Sequence, residues 1–146
     1  MSDDQDSDDV FEQLLALPLD DRWVVAAHQL PAAPKGASGP PWLLLIQSRT
    51  RHFVLGSSTR ARPLTPQELL NALVNTMFEP AQSEPHRPEV IEMGPNLPWE
   101  PVAAMLEQLE VSLEPAGSLS DLNTAFQYLS MQIVGRPIPG LSIEQG

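Results

Sequence analysis

The side chains with the most chemical capacity in this chain fall into three groups. They are the histidines His28, His52 and His86, the arginines Arg49, Arg51, Arg60 and Arg62, and the carboxylates Glu68, Glu92 and Asp121. A zinc site usually draws two ligands from one element, at H-x-H, H-x3-H or H-E-x-x-H spacing. The three histidines are isolated from one another and from any such partner, so they read as structural. There is no cysteine, and no Ser sits in a G-x-S-x-G turn, which leaves nucleophilic catalysis without a carrier. G-x-G-x-x-G is absent too. Gly36-Ala37-Ser38-Gly39 lacks the Gly-Lys-Ser/Thr of a phosphate loop and precedes a strand pattern instead of a helix. No cofactor is expected.

The arginines are the only concentration of positive charge. Arg49 and Arg51 flank a hairpin turn, while Arg60 and Arg62 lie about 25–30 Å further along a straight strand, so the four form two small groups. Charges at turns and edge strands discourage sheet-to-sheet pairing; the same positions suit an anionic protein surface or the chain's own acidic N-terminus. Trp42 and Phe53 sit in apolar runs and read as core before they read as base-stacking platforms. Trp99, between Pro98 and Pro101, either anchors an interface with little entropic cost or staples the start of a helix to the sheet. Phe11 belongs to a short apolar stripe with Val10, Leu14 and Leu15 that docks on the core or on a partner.

The elements that must position these residues can be read from periodicity and punctuation. Asp9-Val10-Phe11-Glu12 resembles a capping box, which opens a helix ended by Pro18. Trp23–Leu30 is a strand, and Pro31–Pro40 is too rich in Pro and Gly for regular structure. Trp42–Gln47 is apolar on both faces and so belongs inside a sheet; Arg51–Gly56 follows as its hairpin partner. Thr65-Pro66-Gln67-Glu68 is a strong helix start, with Leu69, Leu70, Leu73, Val74, Met77 and Phe78 as a broad buried stripe. Pro88–Met93 is a fourth strand, a helix starts within Leu97–Pro101, and Glu110–Glu114 is a fifth strand. A last helix runs to Val134 with Leu119, Leu122, Phe126, Leu129 and Ile133 inward, stopped by Gly135 and Pro137.

The order is β-β-β-α-β-α-β-α: three antiparallel strands, then right-handed crossovers to two more. This resembles the ribonuclease-H-like fold, an α/β architecture whose mixed five-stranded sheet carries helices on both faces. The domain expectation is a disordered acidic tail at 1–8, a short helix at 9–17, one α/β domain at 22–134 and a loose tail at 135–146. Nucleases of that fold hold two divalent metals on acids clustered at the ends of central strands. The resemblance would put the first acid inside the first strand, which reads Trp23-Val24-Val25-Ala26-Ala27-His28-Gln29-Leu30 and has none. Glu68, Glu92 and Asp121 fill the other places only loosely. Glu68 and Asp121 also have a simpler task, since acids in a first helical turn meet free N–H groups and the helix dipole.

A second resemblance rests on Leu14–Leu17-Pro18 before Trp23, on Pro40-Pro41-Trp42-Leu43-Leu44-Leu45, and on Pro85-His86-Arg87-Pro88 ahead of a strand. Over about Leu14–Met131 these positions resemble an uncharacterised domain family of cyanobacteria, found more distantly in plants and other bacteria. The resemblance implies a cyanobacterial source and transfers no functional residue. His86 and Arg87 are singled out as its most distinctive polar pair.

Charge and length narrow the classes further. Of the formal −11, residues 1–21 hold eight acids and no base, and the rest holds eleven acids against eight bases. The acidity therefore lies mostly at the N-terminus, where it disfavours non-specific nucleic-acid binding. No apolar run approaches the roughly 18–20 residues that cross a bilayer, so no membrane insertion is expected. With no disulfide framework, the expectation is a soluble cytoplasmic protein. The functional expectation is a non-catalytic module that binds another protein as an assembly or regulatory factor, its contacts drawn from Arg49, Arg51, His86, Arg87, Trp99 and Phe11. A degenerate ribonuclease-H-like domain acting on nucleic acid is the alternative. A small-ligand sensor with its pocket at Glu92–Asn96 is the third reading.

Overall fold

A computed structural model describes residues 3–141. In chain order these form α1 (Asp3–Ala16), β1 (Arg22–Gln29), β2 (Trp42–Ser48), β3 (Val54–Arg60), α2 (Pro66–Phe78), β4 (Val90–Met93), α3 (Trp99–Gln108), β5 (Ser112–Pro115) and α4 (Ser120–Val134). The strands make one sheet in the order β3-β2-β1-β4-β5. β1 and β2 pair antiparallel, as do β2 and β3, while β4 runs parallel to both β1 and β5. That is the mixed α/β arrangement expected from the element order, with β1 in the middle. Among the described residues no helix is long and apolar enough to cross a membrane.

Both faces of the sheet are covered, because the inner strands are apolar on both sides. Trp23, Val25 and Ala27 of β1 join Leu44 and Ile46 of β2 and Ile91 of β4 under α1, α2 and α3. The alternate residues Val24, Ala26, Leu43 and Leu45 meet Leu122 and Phe126 of α4 on the opposite face. Period-two alternation thus divides one run of apolar residues between two cores. α2 begins as its sequence dictates: Thr65 Oγ1 accepts the Glu68 N–H and Glu68 Oε1 accepts the Thr65 N–H, a reciprocal cap behind Pro66. Gly56 lets α2 approach β3, since a Cβ there would stand 2.6 Å from Thr76 Oγ1.

Four expectations are corrected. α1 begins at Asp3, not Asp9, so the Asp9–Glu12 box lies within the helix. The hairpin turn is longer than read, spanning 49–53, and β3 starts at Val54. Ser48 builds that turn: its Oγ accepts from Arg51 N and its carbonyl from His52 N, while its N–H meets Phe53 O. Ile133 of α4 faces outward.

The fourth correction concerns the segment after α4. Gly135 takes the left-handed conformation that ends α4, and the chain then turns back along the helix. The Gln127 amide donates to the carbonyls of Ile138 and Leu141 and accepts the Ile138 N–H. Ser130 Oγ donates to Arg136 O, and Ile138 is buried against Leu122 and Phe126. Residues up to 141 are therefore pinned to α4; residues 142–146, like 1 and 2, lie outside the described residues.

Candidate functional site

The sheet brings together a set of opposite charges that are far apart in sequence. Glu92 on β4 stands beside Val24 of β1, with its side chain almost wholly buried. Arg49, from the hairpin turn, grips it with both arms, Nη2 to Oε1 at 2.7 Å and Nε to Oε2 at 3.2 Å. Arg22 Nε donates to Oε2 at 3.2 Å, and the Gly117 N–H donates to Oε1 at 3.1 Å. Arg49 above all, against the cost of burial and helped by Gly117 and Arg22, holds Glu92 down to about 2. Arg22 reaches on to Glu114 of β5 at 2.8 Å, and Arg49 to the Ser118 carbonyl at 2.7 Å. The strand order alone makes this cluster, joining β1, β4, β5 and the hairpin turn.

Beside it, at the start of β1, the buried Asp21 side chain accepts from the Arg22 and Thr50 amides. Arg51 pairs with Asp21 at 3.0 Å and with Asp20 at 2.6 Å. His86 lies under this corner. Its Nδ1 lies 2.7 Å from Glu84 O, and its Nε2 lies 3.1 Å from the Trp23 indole N and 3.7 Å from Asp21 Oδ2; the Asp21 carboxylate, against the cost of burial, raises the ring's pKa above its usual 6.5. Arg87 is buried in a cage of carbonyls. It donates to Leu15, Leu17 and Leu109, and to the Glu110 carboxylate.

These contacts settle where the candidate contact residues lie. His86 and Arg87 are 3 % and 5 % exposed, so neither is available to a partner in this fold; both act inside the molecule, contrary to expectation. Arg49 and Arg51 are partly accessible, but their charges are taken up by Glu92, Asp20 and Asp21. Trp99 is half-buried and packs on the core, donating its indole N–H to Gly94 O at 2.9 Å; it staples the start of α3. Phe11 is half-buried against the core under α1.

The three acids weighed for metal chemistry do not converge. Glu68 serves the α2 cap and pairs with Arg60 and Arg62; the Thr65 N–H, first among its donors, holds it at about 2. Asp121 meets His52 Nδ1 at 3.2 Å in an exposed contact. Glu92 is enclosed by guanidinium groups. Among the described residues no group of three or more His, Cys, Asp or Glu side chains is placed to hold a metal ion. At the end of β4, where a ligand crevice would fall in such a sheet, the chain folds back onto the neighbouring strand. Gly94 N donates to Val25 O, Ala27 N to Pro95 O and Asn96 Nδ2 to Ala27 O, so residues 94–96 lie directly on β1. A Cβ at Gly94 would stand 2.4 Å from Val25 O.

Two of the surfaces open to solvent are apolar. An open groove of about 370 Å³ runs between α1, α2 and α3 and includes Val10, Phe11, Leu70, Val74 and Met105. On the opposite side α4 presents Tyr128 and Met131, 65 % and 49 % exposed, next to a shallow depression bordered by His52, Phe53 and Val54. The stripe of Val10, Phe11 and Leu14, read from the sequence as docking on the core or on a partner, lines the first of these surfaces; the second was not foreseen. A further signal for the first was present: α2's apolar stripe includes Leu70 and Val74 beside Leu69, Leu73 and Met77, wider than one sheet contact needs. No protein-family model matches the chain, and no curated protein matches it in sequence.

Proposed function

We propose that this protein is a non-catalytic α/β module that works by binding another protein, as an assembly or regulatory factor in the cytoplasm of a cyanobacterial cell. One observation carries the reading. The carboxylates Glu92, Asp20 and Asp21 are engaged by Arg22, Arg49 and Arg51, while apolar side chains stand exposed on the outer faces of the helices. Carboxylates engaged by arginines at 2.6–3.2 Å are poor general bases and poor metal ligands, because each proton or cation must displace a charge-assisted bond. Exposed Val10, Met105, Tyr128, Met131 and Ile133 on the helices are side chains of the kinds found in protein interfaces.

The test is affinity capture from the source cytosol with the tagged full chain, washed at physiological salt. A specific partner, identified by mass spectrometry and lost when exposed apolar residues are made polar, is the expected result. No specific partner, together with Mg²⁺- or Mn²⁺-dependent cleavage of RNA or DNA that Glu92→Gln abolishes, would replace this reading with the nuclease one.

A further inference from the structure

The Gln47 side chain on β2 is enclosed by the fold and put to no use by it. The residue is 5 % exposed. It stands opposite Val24 of β1, which packs under α4, so it points to the α4 side of the sheet. There it lines a depression of about 680 Å³ between the hairpin turn and α4, within the roughly 300–1,000 Å³ of binding pockets. Its amide makes no hydrogen bond among the described residues. A carboxamide withdrawn from water and left without a partner is costly. An unused one at the base of an open depression is a group kept for something that enters from outside.

The other walls limit what that is. Phe53, Val54, Ala125 and the ring of Tyr128 give apolar and aromatic faces. The lining includes one carboxylate, Asp121, and no Lys or Arg. Asp121 holds His52 Nδ1 at 3.2 Å, and His52 Nε2 is left without a partner among the described residues. A phosphate or carboxylate entering here would meet a like charge and no guanidinium or ammonium. A carboxamide sets one acceptor and one donor side by side in a plane, the match for the adjacent donor and acceptor on a nucleobase edge. Flat aromatic walls suit the faces of the same ring. We infer that this depression binds an uncharged nucleoside, the Gln47 amide pairing with the edge of the base and the Phe53 and Tyr128 rings lying against it. This goes beyond the protein-binding reading and does not depend on it.

Adenosine is the probe, titrated into the full chain and followed by calorimetry and by amide NMR. Saturable binding is expected, with the shifts centred on Gln47, the hairpin turn and the first half of α4. N6,N6-dimethyladenosine keeps the ring but has no exocyclic N–H, and should bind about tenfold more weakly. AMP should bind no tighter than adenosine. Gln47→Leu should lower affinity about tenfold and, because it removes an unpaired amide, leave Tm equal or higher. Tyr128→Ala should weaken binding about fivefold, and Met105→Gln, on the opposite face of the sheet, should not change it. No saturation up to about 10 mM adenosine, equal binding of the dimethylated base, or undiminished binding to Gln47→Leu overturns the inference. So does a lower Tm in Gln47→Leu, since the amide would then serve the fold itself, through water or a neighbour. Tighter binding of AMP or of oligoadenylate overturns it as well, because the ligand would then be a nucleotide or a strand.

Discussion

The guanidinium of Arg87 meets carbonyls from the ends of two helices at once, Leu15 and Leu17 at the end of α1 and Leu109 at the end of α3. A cation at a helix C-terminus also opposes the dipole. Lysine carries the same charge but lacks the planar fork that spans several acceptors. Arg87→Lys should therefore cost about 3 kcal/mol, with buried carbonyls left unpaired, read as a lower urea midpoint at unchanged slope. Glu92 carries a comparable role at the sheet. Its folded value of about 2 lies below the unfolded 4.5, so its contribution is complete above pH 4.5 and fades as pH falls toward 2. Glu92→Gln should destabilise at pH 7 by about 3 kcal/mol, leaving Arg49 without its counter-charge and Arg22 with Glu114 alone. The gap from wild type should narrow steadily below pH 4.5. His28 works with the opposite proton balance. Its ring stands edge-on to Phe126 at 4.7 Å, with Nε2 buried and without a hydrogen-bond partner among the described residues. Burial lowers its pKa from 6.5, so the unfolded chain binds the proton first and stability declines as pH falls below 6.5. His28→Leu should remove that decline, visible as a difference from wild type between pH 7 and 5.

At the scale of elements, what the sequence made legible were features that depend on near neighbours. The α2 start is spelled out in four consecutive residues, and Thr65 and Glu68 make both expected bonds. The double-sided apolar character of β2 placed it inside the sheet for the same reason. The hairpin register was not legible. Its turn is held by Ser48 and by Arg51 reaching back to Asp20 and Asp21, some thirty residues earlier, and no local pattern announces such a partner. The charge cluster around Glu92 was hidden similarly, since Arg22, Arg49 and Glu92 meet only once β4 lies beside β1. Gly56 is another such case. Nothing near it in the chain requires glycine, but Thr76 of α2 lies where its Cβ would go. Gly56→Ala should destabilise by about 1–3 kcal/mol through overpacking. Thr76→Ala removes the obstructing hydroxyl and methyl, so the double variant should recover much of that loss. A double-mutant cycle by chemical denaturation would show the coupling; strictly additive losses would mean that helix and strand do not meet there.

For the whole molecule, the distribution of charge matters more than its total. All eight bases lie in strands, turns and loops, and none in the four helices, which together hold ten acids. The arginines are mostly paired with the acids nearest them, at 2.6–3.4 Å around Glu92, Asp20, Asp21 and Glu68. Short pairs with a buried partner are little affected by dissolved salt, whereas repulsion among exposed acids acts over about a Debye length and is screened by it. The two contributions respond differently to ionic strength, and at −11 the repulsive one should dominate. Raising NaCl from 20 to 300 mM should lift Tm by about 3 °C, roughly 1 kcal/mol for a chain of this size. If the helices were instead held by surface ion pairs, salt would lower Tm.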